Sequence, residues 1–245
     1  MLTFLSLGAF RSPNWRVVSA RTLFIQTEKT PNPDSLKFLP GISVLPPEHG
    51  SGLFIQKGDR EFKRRSPLAS RLFSIEGVAN VFFGLDFVTV GRLNPDKLDV
   101  DANEVDWSVL KPQVFSVLMD SFTDGVLVID ETPVVSDTTI LDDDDEIVAM
   151  IKELLETRIR PAVQEDGGDI FYAGFDEGTG VVRVQLAGSC QGCPSSSVTL
   201  KSGVENMLMH YIPEVTAVES VDEDQVRAEK EQLAFMKNIG APELP

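Results

Sequence analysis

The stretch ETPVVSDTTILDDDD, residues 131–145, limits the fold more than any other segment of the chain. It has no helical or strand period, it contains a proline, and it ends in four consecutive acids. Regular, apolar-patterned sequence lies on both sides of it. A chain of 245 residues divided there yields two units of about 100 residues each, a size at which a domain buries its own core. We therefore expect a linker over 125–143, a domain over 23–124 and a second over 144–222. The acids are expected to be solvated, and their place just before a helix also suits the helix dipole.

In the first domain, LFIQTEKTPNPDSLKFLPG reads as strand, proline-rich turn, strand. GLFIQ adds a further strand. SPLASRLFSIEG reads as a helix capped by Ser66, with Pro67 in its first turn, Gly77 at its exit, and Leu68, Leu72 and Ile75 on one face. VANVFFG and DFVTVGR are strands joined through Gly84-Leu85-Asp86. VDWSVLKPQVFSVLMDSF is a helix with Val114, Val117 and Leu118 together and Pro112 in its first turn or at a kink.

The second domain opens on one long helix, DEIVAMIKELLETRIRPAV, with Ile147, Ile151, Leu154, Leu155 and Ile159 at helical spacing. QEDGGDI is a turn, and IFYAGF and GVVRVQLAG form a hairpin with Val182, Val184 and Leu186 on one face. PSSSVTLKSGVENMLMHYI is a helix with Val204, Met207, Leu208 and Tyr211 in register, and EVTAVESV is a final strand. Residues 223–245 read as a polar helical tail. The fold class is α+β, with two small mixed α/β domains.

Charge is unevenly spread. Residues 1–27 carry three arginines and no acid, and residues 126–245 carry a net of −16. The acidic half argues against a nucleic-acid partner, because phosphates would be repelled. The arginine- and serine-containing, acid-free start has the composition of a mitochondrial import segment, expected over residues 1–22 with cleavage between Arg21 and Phe24. A secretory signal is the rival, but no Lys or Arg precedes its apolar run Leu2 to Phe10, and that run is too short to span a bilayer. No membrane segment is expected.

The two cysteines of the chain, Cys190 and Cys193, stand together in GSCQGCP at the junction of a strand and a helix. They are too close in sequence to frame a secreted disulfide fold, so a reducing compartment fits better. Pro194 is the expected first helical residue, which places the thiols beside unpaired backbone N–H groups and favours the thiolate. Gly188 and Gly192 allow close backbone approach. Three functions compete with plain packing. A dithiol–disulfide exchanger would sit at such a junction, but thioredoxin-like sites carry an aromatic before the first cysteine, where Ser189 stands here. A zinc site needs four ligands, and His210, 17 positions beyond Cys193, lies roughly 25 Å along the helix. His49 sits on a distant Gly/Pro-rich stretch. A 4Fe–4S cluster needs four thiolates, which two chains supply across a two-fold axis. That stoichiometry also permits zinc.

Other clusters are read as non-functional. Glu165, Asp166 and Asp169 in EDGGD are expected to be solvated acids around a tight turn. Met207 and Met209 are packing and surface. KGDREFKRR, Lys57 to Arg65, is a solvated basic loop, or a dock for the acidic half or an acidic client.

On these residues the chain resembles a known family. QEDGGDI followed by LAGSCQGCPSSSVTLKSGVENML resembles the C-terminal domain of the Nfu (NifU-like) iron–sulfur scaffold proteins. FIQTEKTPNPDSLKFLPG, GVANVFFGLDFVTVGR and the Trp107 helix resemble the N-terminal domain of their mitochondrial members. The resemblance covers nearly all of residues 23–222. It implies a homodimer on cluster binding, with a 4Fe–4S cluster held by Cys190 and Cys193 of both chains. It also implies a matrix location, upstream assembly partners and client apo-enzymes. No catalytic role is expected, because the sequence offers no nucleophile with a paired His, no Gly-rich phosphate loop and no His-rich metal site. Some bacterial relatives carry an extra cysteine-rich domain, and this chain has no cysteines for one. The first domain is expected to modulate donor or client contacts.

Overall fold

The computed structural model describes residues 24–59, 66–94, 105–129, 136–142, 144–191 and 194–221, with side chains in the last stretch from residue 200 on. The import-like segment, most of the basic cluster and the polar tail lie outside the described residues.

Five strands form the first sheet: β1 (Gln26–Lys29), β2 (Ser35–Leu39), β3 (Gly52–Gln56), β4 (Val78–Gly84) and β5 (Val88–Arg92). Their order is β1-β2-β5-β4-β3 and every neighbour is antiparallel. Helix α1 (Pro67–Leu72) starts as the sequence requires, with the Ser66 hydroxyl accepting from the Ala69 N–H at 3.0 Å. Helix α2 (Trp107–Asp124) is capped by Asp106 and stopped by Gly125 in the left-handed region. Pro112 falls inside α2, not in its first turn, on the exposed side. Leu68, Leu72 and Ile75 all face the core, as their spacing predicts, and Leu110, Val114 and Leu118 line the buried stripe of α2.

Alternation along the strands then exposes a problem that the fold must solve. Leu53 and Ile55 of β3, and Val81 and Phe83 of β4, point into the core beneath α1 and α2. The residues between them, Phe54 and Phe82, therefore point to the other face of the sheet. They join Phe87 there, and all three are buried. A sheet with phenylalanines on its second face needs a cover, and the second domain supplies it through Ala187 and Phe171.

That domain holds a three-stranded sheet of order β6-β7-β8, with β6 (Gly168–Asp176), β7 (Val181–Gly188) and β8 (Ala217–Ser220). β6 and β7 form the expected antiparallel hairpin, and β7 pairs with β8 in parallel across the last helix. Val182, Val184 and Leu186 are buried as expected. The opening helix is in three parts: α3 (Glu146–Leu154), a π-helical turn (Leu155–Ile159) and α4 (Arg160–Glu165). Pro161 explains the break: it has no N–H to donate, its ring crowds the carbonyl four residues back, and the turn before it widens. Helix α5 (Pro194–Tyr211) begins at the expected proline. Its buried stripe is Val204, Leu208 and then Ile212, whereas Met207 and Tyr211 are exposed. This corrects the predicted face, because the i, i+4, i+8 row is the one turned to the sheet.

Asp169 also departs from expectation. Glu165 and Asp166 are exposed, but Asp169 is fully buried. Its Oδ1 accepts from Arg160 Nε at 3.0 Å and from the Ile170 N–H at 2.7 Å. Burial pushes the Asp169 carboxyl up, against the opposing pull of Arg160. Arg160 also donates to both carboxylate oxygens of Asp137 at 2.8 and 2.9 Å, to Thr138, to Glu156 and to the Ile170 carbonyl. Asp137 and Thr138 belong to the segment read as linker. Part of that segment is thus bound to the second domain, and Asp144 of the acidic run pairs with Lys152 at 2.6 Å instead of being solvated.

Arg160→Leu leaves three carboxylates facing each other around a buried site. We expect it to destabilise the second domain by about 3–5 kcal/mol in urea denaturation. Asp169→Asn keeps an acceptor for the Ile170 N–H and removes a charge that burial disfavours, so its expected cost is about 1 kcal/mol. Equal costs for the two variants would overturn this reading of the network.

Candidate functional site

The cysteine loop is built by two backbone turns pressed against each other. β7 ends at Gly188, whose φ of +65° lies in the left-handed region. The chain then turns through Ser189, Cys190 and Gln191, with the Gln191 N–H donating to the Gly188 carbonyl at 3.2 Å. The facing turn is Asp166-Gly167-Gly168, which leads into β6. The Ser189 N–H donates to the Gly167 carbonyl at 3.3 Å, and the Ser189 hydroxyl to the Asp166 carbonyl at 2.6 Å. A Cβ on Gly168 would lie 2.5 Å from Cys190 Sγ and 2.8 Å from the Ala187 carbonyl. EDGGD is therefore the wall against which the cysteine loop packs, which answers why its glycines are there.

Cys190 is 4% exposed and its side chain belongs to the second core, with Val163, Ile170 and Val204. Cys193 and Gly192 lie outside the described residues. The predicted pair is thus placed only for Cys190, at the predicted junction between strand and helix. Among the described residues no group of three or more His, Cys, Asp or Glu is arranged to hold a metal ion. His210 is exposed on the last turn of α5, edge-on to Tyr211 at 4.9 Å, as its distance along the helix predicts. His49 ends a short 3-10 turn in the first domain.

Sequence reasoning missed the residues that reach this loop from the other domain. Asn32, in the TPNPD turn, donates from Nδ2 to the Ser189 carbonyl at 3.1 Å and to the Gln191 carbonyl at 3.3 Å. These are the two carbonyls that flank Cys190. Lys37, from the second face of the first sheet, donates from Nζ to the carbonyls of Gln164 and Glu165 at 3.1 and 3.0 Å. Those carbonyls end α4, where a cation meets the negative pole of the helix. Lys37 also lies 4.4 Å from the centre of the Phe87 ring. Ser51 donates to Asp169 Oδ2 at 3.0 Å, and Gln164 Nε2 returns to the Ser51 carbonyl at 3.3 Å. The available signal was Lys37 itself, a charge between Leu36 and Phe38 in a strand whose neighbours bury both faces.

Comparison with known proteins finds two matched regions in the chain. Residues 25–125 match the family model described as "Scaffold protein Nfu/NifU N terminal", and residues 151–219 match the "NifU-like domain". The chain is 49% identical over 233 residues to "NFU1 iron-sulfur cluster scaffold homolog, mitochondrial" of Drosophila persimilis, covering 95% of this chain and 77% of the relative. The protein of the same name from Drosophila yakuba is 50% identical over 235 residues, with 96% and 77% covered. A solved NifU-like protein from Saccharomyces cerevisiae aligns over 51% of this chain and 99% of its own, at 26% identity and a TM-score of 0.40. The class is a two-domain scaffold protein. This chain belongs to the Nfu family of NifU-like scaffold proteins.

Gly168→Ala is expected to cost about 1–3 kcal/mol of stability, because its methyl enters space held by Cys190 Sγ and the Ala187 carbonyl. Thermal unfolding monitored by circular dichroism measures this. An unchanged melting temperature would show that the two turns are not in the contact described.

Proposed function

We propose that this protein is a carrier that holds an iron–sulfur cluster of the 4Fe–4S type between two chains and delivers it to apo-proteins of the mitochondrial matrix. The cluster is cargo, not a resident cofactor. The observation that carries the reading is the thiol count: Cys190 and Cys193 are the only cysteines of the chain, and a 4Fe–4S cube asks for four thiolates. Two copies related by a two-fold axis supply them. Membership of a scaffold family supports the reading, as do relatives named as mitochondrial iron–sulfur scaffolds.

On this reading residues 1–22 are the import segment, 23–124 the Nfu-type domain, 125–143 the connection, 144–222 the cluster-binding domain and 223–245 a polar tail. The carrier receives its cluster from upstream assembly proteins and passes it to client apo-enzymes. A cluster held at an edge between protomers is released when the dimer loosens, which suits transfer better than electron storage. Among the described residues no helix is long and apolar enough to cross a membrane.

The test is anaerobic reconstitution with iron and sulfide, followed by iron and sulfide counts and size measurement. The expected product is a brown dimer with about two irons and two sulfides per chain. Cys190→Ser and Cys193→Ser should each lose the cluster. A full cluster on either variant, or on a monomer with no added thiol, would overturn the assignment. A colourless dimer with about half a zinc per chain would replace it with a structural zinc site.

A further inference from the structure

The arrangement around Cys190 is closed. The sulfur is buried, and the carbonyls on either side of it are tied to Asn32 of the other domain. Asn32 is itself 7% exposed and hydrogen-bonded within its own turn. Its Oδ1 accepts from the Asp34 N–H at 3.0 Å, and its carbonyl accepts from Thr30 Oγ1 at 2.8 Å and from the Ser35 N–H at 3.0 Å. The side chain is therefore aimed, not free to wander, and both Nδ2 protons go to the cysteine loop. Some 130 positions along the chain from Lys37, the end of α4 receives that lysine's ammonium, and Ser51 meets Asp169 at the same seam. Between these polar ties lie Phe54, Phe82 and Phe87 against Ala187 and Phe171.

We propose that the first domain is a docked cap on the cysteine loop, latched by Asn32. Docking and a cluster shared between two chains exclude each other. The second half of this statement rests on the carrier reading above. A shared cluster needs the sulfurs of both copies at a common surface, and Cys190, turned into the core with the first domain across the carbonyls on either side of it, is not at one. Loading then requires undocking, which breaks the Asn32 and Lys37 hydrogen bonds together and uncovers the phenylalanine face. Cluster occupancy is thereby coupled to the position of the first domain.

The full chain, reduced and metal-free, is treated with N-ethylmaleimide, and labelling of Cys190 is followed with time by peptide mass spectrometry. Asn32→Asp retains the oxygen that shapes the turn but points a second acceptor at the two carbonyls. Lys37→Met breaks the seam far from the loop. Cys190 packs with Val163, Ile170 and Val204 of its own domain, so its sulfur is reached only when the loop itself moves, and the Asn32 bonds to the Ser189 and Gln191 carbonyls hold that loop in place. Both variants should raise the Cys190 labelling rate on the order of tenfold, because each removes a pair of hydrogen bonds that only the docked form makes and so frees the loop to open. Asn32→Gln and the native chain serve as comparisons, and circular dichroism checks that each variant is folded. If Asn32→Asp fails to fold, Lys37→Met alone decides. Native labelling as fast as in urea, or no rise in folded Lys37→Met, overturns the cap.

Reconstitution of the same proteins separates this proposal from the one beneath it. Faster iron uptake by the variants, to the same final content, supports both. A labelling rate that rises while no variant takes up iron supports the cap and overturns the carrier reading.

Discussion

The second face of the five-stranded sheet is the constraint on which the rest of the molecule depends. Helices α1 and α2 cover only one side of it. Phe54, Phe82 and Phe87 occupy the other, and each phenylalanine left in water would forfeit roughly 1.5–3 kcal/mol. The β6–β7 hairpin meets that need, and β7 runs against β4 and β5. Because β7 leads directly into the cysteine loop, covering the phenylalanines brings the first domain to Cys190. A packing requirement in one domain thus determines what surrounds the chemistry of the other.

Polar contacts set the register of that apolar seam. Hydrophobic burial is non-directional, so it does not choose which way the two domains face. Asn32 on the loop carbonyls, Lys37 at the end of α4 and Ser51 on Asp169 each have a single geometry that satisfies them. Arg160 extends the same network inward. By binding Asp169, Asp137 and Glu156 it joins the seam, the connecting segment and the helix that packs beneath the sheet. The cysteine loop is held between these ties and the close-packed glycines of EDGGD, which explains a buried sulfur at a position that the chain order alone would leave at an edge.

Much of this was legible beforehand. Helix starts at Ser66 and Pro194, the β6–β7 hairpin, and the buried trio Val182, Val184 and Leu186 follow from capping residues, turn residues and strict alternation. The motif CxxC placed Cys190 at its junction. Other features were not legible, for identifiable reasons. The helical period could not choose between the rows starting at Val204, since Met207 and Tyr211 are apolar enough to pass for core. Asp169 looks like its solvated neighbours Glu165 and Asp166, because burial is a property of what packs on top. The consecutive apolar runs Leu53-Phe54-Ile55 and Val81-Phe82-Phe83 did carry a signal: a strand apolar at every position is buried on both faces.

By itself the amino-acid sequence determined the local matters: where elements begin and end, which residues alternate, that the chain has two thiols and where they sit along it. These depend on neighbours a few positions apart, and backbone sterics and capping chemistry decide them at short range. Only the tertiary structure decided that Asn32 lies on the carbonyls of Ser189 and Gln191, more than 150 positions away, that Asp169 is buried, and that Cys190 faces inward. Such pairings arise from two surfaces finding their one satisfied fit. No periodicity in either segment announces its partner in the other.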